Sequence, residues 1–76
     1  MVTTRDLKPG DNVRLIHYGQ TDVTYRRRLL ALGVTCGVEA QVIRRAPLGC
    51  PLQMNVRGTA LIIRVDEAAL LQWEYV

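Results

Sequence analysis

The chain has no phenylalanine, a single histidine and only two cysteines among its 76 residues. A catalytic nucleophile needs a base within hydrogen-bond reach and usually a third group to orient it. His17 has no neighbouring serine and no HxxH, HExxH or CxxC context. The inventory therefore points away from an enzyme. Cys36 and Cys50 stand fourteen apart without a second pair, too few for the disulfide framework of a small secreted domain, and both are expected to be reduced thiols. Aromatic residues are limited to Tyr18, Tyr25, Trp73 and Tyr75, a poor supply for stacking on nucleic-acid bases. Long apolar runs are missing too. The longest stretch without charge opens at Ala46, carries two prolines and a glycine, and falls short of the roughly 20 residues that cross a bilayer. The first residues, Met-Val-Thr-Thr-Arg-Asp, lack the apolar segment and small-residue cleavage site of a secretory signal, so a cytoplasmic address is expected by default.

What remains is a short chain of ordinary globular composition, 49% hydrophobic and 22% charged, read as one domain over residues 1–76. A chain of this length buries only about 60% of the surface that its unfolded form exposes, which leaves roughly 3 to 5 kcal/mol of stability. It is also too short for a large substrate cleft or a cofactor-binding domain paired with a second one. Its ten basic and seven acidic residues give a net charge of +3. That charge is polarised: all ten basic side chains precede Asp66, and Asp66, Glu67 and Glu74 are the only charges after Val65.

Leu7 to Asp11 reads as a turn around Pro9-Gly10. Val13, Leu15 and His17 then alternate with Arg14 and Ile16 in a strand that Tyr18-Gly19-Gln20 interrupts. Thr21 or Asp22 can cap a helix, and Gly33 suits its left-handed end, which predicts a helix over residues 22–32. At about 100° per residue, Tyr25, Leu29 and Leu32 form its core stripe. Val23 and Leu30 make a second, smaller apolar line beside Arg26 and Arg27 that can remain exposed. Strand patterning returns at Val38, Ala40 and Val42, at Leu52, Met54 and Val56, and from Ala60 to Val65, with a tight turn at Arg57-Gly58-Thr59. Asp66 to Ala69 suits one helical turn, and Leu71 to Tyr75 a closing strand. Five strands with one helix inserted after the first fit a mostly β fold, a small closed or nearly closed barrel, better than a sandwich.

Three stretches are candidates for function. Arg26-Arg27-Arg28 with Arg44, Arg45 and Arg57 can contact phosphates, although a solvated helix face is the plainer account. Pro47, Leu48, Gly49 and Pro51 lie in a loop with little backbone freedom, either a rigid connector or a preformed surface for a partner. His17, Cys36 and Cys50 with a carboxylate are the one set from which a transition-metal site can be assembled, although close-spaced ligand pairs are missing and the thiols can equally cap a turn and fill a loop.

The run Tyr25 to Val34, then Gly37, then Arg44-Arg45-Ala46-Pro47-Leu48-Gly49-Cys50-Pro51, then Val56-Arg57-Gly58 and Leu61-Ile62-Ile63-Arg64 resembles the ferrous iron transport protein A family, FeoA, over almost the whole chain. The resemblance implies a cytoplasmic SH3-like barrel that assists the membrane permease FeoB, whose cytosolic portion carries a GTP-hydrolysing domain. Similar barrels end repressors of the diphtheria toxin repressor type, but no winged-helix pattern is read within these 76 residues, so a repressor is not expected. Two positions depart from the family pattern: Cys50 stands where Asp is common, and Cys36 where Pro is frequent. Docking on FeoB would give the Val23 and Leu30 line, flanked by Arg26 and Arg27, a use as an apolar patch with a charged rim. The competing readings are a direct carrier or sensor of Fe(II) or another divalent transition metal through His17 and a thiol, and a small nucleic-acid barrel. Self-association into a homo-oligomer through exposed strands stays open.

Overall fold

The computed structural model describes residues 2–46 and 51–76. They form one antiparallel sheet of six strands: β1 (Val2–Thr3), β2 (Asn12–His17), β3 (Glu39–Arg45), β4 (Leu52–Val56), β5 (Thr59–Ile63) and β6 (Gln72–Tyr75). Their spatial order is β1-β6-β2-β3-β4-β5. The one α-helix, α1 (Val23–Ala31), follows β2. The expected mostly β architecture with one helix is present, with one addition. The two-residue β1 pairs with β6, Val2 opposite Trp73, so the sheet has six strands where the pattern predicts five. A strand of two residues has no periodicity to read.

Alternation explains which side of each strand is inside. Val13 and Leu15 of β2, Ala40 and Val42 of β3, Leu52, Met54 and Val56 of β4, Leu61 and Ile63 of β5 and Trp73 of β6 are all buried. Leu7, Leu29, Val34, Val38, Val65, Ala68 and Leu71 complete the same cluster from the helix and loops. The register shifts between Leu15 and His17 on β2 and between Val42 and Arg44 on β3. Such bulges bend a strand and increase its twist, which lets so few strands curl around one core.

The curled sheet is joined by side chains where its ladder ends. Buried Thr4 donates its hydroxyl to the Ala68 carbonyl at 2.6 Å and accepts from Trp73 Nε1 at 3.0 Å. Arg45 at the end of β3 donates through Nη1 to the Arg5 and Leu7 carbonyls at 2.9 and 2.6 Å. The segment after β5 is a series of turns containing one helical bond, from the Ala68 N–H to the Arg64 carbonyl at 3.0 Å, close to the expected single turn.

Candidate functional site

Helix α1 is held from both ends. At its start the Asp22 carboxylate accepts from the Thr24 and Tyr25 N–H groups at 3.1 and 3.2 Å, satisfying two donors that the helix cannot pair itself. At its end the Gly33 N–H donates to the Leu30 carbonyl and the Val34 N–H to the Leu29 carbonyl, at 3.1 and 2.8 Å. This bond pair is a Schellman motif, and Gly33 supplies the left-handed φ of 91° that it requires.

That motif corrects the expected core stripe. Leu29 is buried and Tyr25 half-buried against the core, but Leu32 is 52% exposed. Leu32 is the capping residue, outside the regular turn, and after the chain reversal it is Val34 that is buried.

A second face, about 100° or more round the helix from the core stripe, carries the second apolar line. Val23 is 49% exposed and Leu30 46% exposed. They stand two turns apart, about 10 Å along the axis, with Arg26 and Arg27 between them. The helix contains no acidic residue, and the side chains of Arg26, Arg27 and Arg28 have no hydrogen bond or ion pair among the described residues. On β2, by contrast, Arg14 is paired, 2.8 Å from Glu74 and 3.8 Å from Glu39. The outer face of α1 is thus aliphatic at its centre and cationic at its margins.

The turn leading into the helix is tightly fitted. Gly19 has a φ of 63°, and a Cβ there would collide with the Leu70 carbonyl oxygen. Tyr18 is partly buried and donates its hydroxyl to the Val34 carbonyl at 2.6 Å. Burial pushes its pKa up, the nearby Cys36 adds to the rise, and Arg26 opposes it.

His17 is exposed at the end of β2, where its Nδ1 accepts from the Gly19 N–H at 2.9 Å. Cys36 is an exposed free thiol in the turn before β3. Leu15 is bonded to Gly37 and Val38, so the chain direction places Cys36 at the same end of the sheet as His17. Cys50 lies outside the described residues, as do Pro47, Leu48 and Gly49. Arg45 and Leu52, paired across β3 and β4, are the closest strand residues on either side of them, at the other end of the seven-residue β3, about 20 Å away. Among the described residues no three His, Cys, Asp or Glu side chains converge, and no helix is long and apolar enough to cross a membrane. Pro51 lines a cleft of about 230 Å³ with Arg44, Ala46, Gln53 and Ile62, a feature for which the sequence offers no signal because its walls come from three strands.

The FeoA domain model matches residues 2–74. The fold is similar to the solution structure of the FeoA protein from Chlorobium tepidum, with a TM-score of 0.89, 32% identity, and coverage of 99% of this chain and 70% of that one. It is also similar to a solution structure from Pseudomonas aeruginosa, with a TM-score of 0.71, 35% identity and coverage of 92% and 95%. A crystal structure of Stenotrophomonas maltophilia FeoA complexed with zinc, described as a prokaryotic SH3 domain protein and a candidate activating factor of bacterial ferrous iron transport, matches at a TM-score of 0.80 and 23% identity, covering 97% and 91%.

Proposed function

Because the chain belongs to the FeoA family, we propose that it is a cytoplasmic accessory protein of ferrous iron uptake that acts by contact with the cytosolic part of the FeoB permease and performs no chemistry of its own. The observation that carries this reading is the outer face of α1. Two half-exposed aliphatic side chains are flanked by the guanidiniums of Arg26 and Arg27, neither of which has a side-chain hydrogen bond or ion pair among the described residues. Interfaces commonly combine an apolar centre with a polar rim in which arginine is frequent. The core does not need this face, because Leu29 and Val34 anchor the helix from the other side. The stretch Pro47, Leu48, Gly49 and Pro51, most of it outside the described residues, is a second element of the proposed contact.

Capture of detergent-solubilised FeoB by the purified chain tests the proposal. Leu30→Glu is expected to lower capture at least tenfold while moving the melting temperature by no more than a few degrees. Full capture by this variant would remove α1 from the contact.

A second reading, binding of Fe(II) or another divalent metal by the chain itself, draws support from the zinc complex of the Stenotrophomonas relative and from the common location of His17 and Cys36. His17 would have to give up its Gly19 bond in either case. A metal at Nδ1 displaces that N–H, and a metal at Nε2 forces the ring proton onto Nδ1, facing another donor. Anaerobic Fe(II) titration separates the readings: stoichiometric uptake that is lost in both His17→Ala and Cys36→Ser would favour the metal.

A further inference from the structure

We propose that the free edge of β5 is a docking site for an extended peptide segment that is apolar in its middle and acidic at both ends. The sheet has two terminal strands, β1 and β5, and the fold treats them differently. The β1 edge is two residues long and ends at once in a 3-10 turn, Thr4–Asp6, in which Asp6 accepts from the Thr3 N–H and hydroxyl, both at 3.0 Å. Shortness is one of the ways in which natural sheets blunt an edge. The β5 edge has no such protection. Thr59-Ala60-Leu61-Ile62-Ile63 contains neither a charge nor a proline.

The hairpin turn sets which backbone groups are free. Arg57 and Gly58 both have positive φ, 53° and 81°, which makes the two-residue turn type I′. Its closing pair, Val56 and Thr59, is therefore hydrogen-bonded, and the alternation of an antiparallel ladder turns Thr59, Leu61 and Ile63 toward β4. The N–H and C=O groups of Ala60 and Ile62 point the other way. No described residue pairs with them. Ile62, 70% exposed, is the most exposed of the large apolar side chains among the described residues. Beside it lies the cleft that Arg44 and Gln53 share with Ala46 and Pro51, in the cross-strand row Arg44, Gln53, Ile62.

Charge decides the occupant. Arg57 precedes β5 and Arg64 follows it, and Arg44 stands across the cleft. Arg57 and Arg44 have no ion pair among the described residues, and Arg64 has only Glu67 at 3.8 Å. A second copy of the chain can offer the same edge, with Ala60 bonded to Ile62 of the other copy, but this register sets Arg64 beside Gly58 and Arg57 of its mate and gathers like charges at both ends. A peptide with a carboxylate at each end and β-branched residues between them makes the same four main-chain bonds, covers Ile62 and meets the guanidiniums. Strand addition of this kind draws affinity from the main chain and selectivity from the side chains.

The test uses the full chain labelled with nitrogen-15 and a seven-residue peptide of alternating valine and threonine with aspartate at both ends, followed by amide resonances. Saturable shifts at Ala60 and Ile62 are expected, with at least tenfold weaker binding of a peptide ending in lysine. Ala60→Pro, which removes an outward N–H that no ladder bond uses, is expected to lower affinity at least tenfold. Ile62→Lys leaves every backbone group in place and is expected to do the same, so misfolding of the proline variant would not decide the matter. The proposal fails if millimolar peptide leaves these amides unmoved, if lysine-ended peptide binds as well, or if shifts at β5 depend on protein concentration and not on peptide.

Discussion

At position 4 one buried hydroxyl serves two partners, donating to the Ala68 carbonyl and accepting from the Trp73 indole N–H. Thr4→Val keeps the volume and strands both groups away from water. The loss is expected to be about 1 to 3 kcal/mol, a large share of the roughly 3 to 5 kcal/mol available to a domain of this size. Each kcal/mol moves the melting temperature of so small a domain by about 4 to 8 °C, so thermal unfolding followed by circular dichroism should show a drop of at least several degrees. A drop smaller than the error of the scan would contradict the role assigned to Thr4. Tyr18 gives a prediction in pH. Its pKa in the folded chain lies above the ordinary value, chiefly through burial, so the folded state holds the phenolic proton more tightly. The corresponding stability is present below about pH 10, the ordinary tyrosine value, and is lost as pH rises beyond it toward the folded value. Tyr18→Phe is expected to remove part of the alkaline fall in stability, and an unchanged fall would assign it to other groups. Neither role can be read from the sequence. The hydroxyl bond of Thr4 to Ala68 spans 64 positions, and nothing local marks Tyr18 as a donor to Val34.

Helix α1 was the most legible element because each of its signals is local. Asp22 supplies the cap, Leu29 the buried contact and Gly33 the stop. Asp22→Ala is expected to cost about 0.5 to 2 kcal/mol, visible as a lower urea midpoint with an unchanged slope. An unchanged midpoint would mean that the cap is redundant. A periodicity count puts Leu32 in the core because it assumes that the helix continues, whereas the helix ends at Ala31 and the Schellman reversal leaves Leu32 exposed and Val34 buried. The strands were legible wherever five or more residues alternate, as in β2 to β5. β1 was not, since its place depends on Trp73 and on Thr4, far apart in the chain. Of the candidate site, the exposed Val23 and Leu30 line with Arg26 and Arg27 followed from helical geometry alone. The β5 edge did not, because the sequence cannot show which strand ends the sheet.

The whole molecule exposes 4712 Å². A standard interface takes about 800 Å² from each partner, roughly a sixth of that surface, so the proposed docking through α1 would occupy one side and leave others free. The Arg26 and Arg27 guanidiniums also predict how the proposed docking responds to salt. The Debye length falls from about 10 Å at 0.1 M to about 3 Å at 1 M ionic strength, so association with FeoB should weaken as salt rises. Paired Arg26→Ala and Arg27→Ala changes should flatten that dependence, chiefly through the association rate. Salt-independent binding would show that these arginines do not steer the encounter.

The central claim is that this FeoA domain works through an adhesive helix face and not through a reaction centre. Surface plasmon resonance of immobilised FeoB with the intact chain and with Leu30→Glu, each confirmed as folded by its melting curve, tests it most directly. The account predicts saturable binding of the intact chain, and binding by the variant that is at least tenfold weaker at a nearly unchanged melting temperature. Equal binding by the two, or no binding of the intact chain with or without GTP and Fe(II), would contradict it.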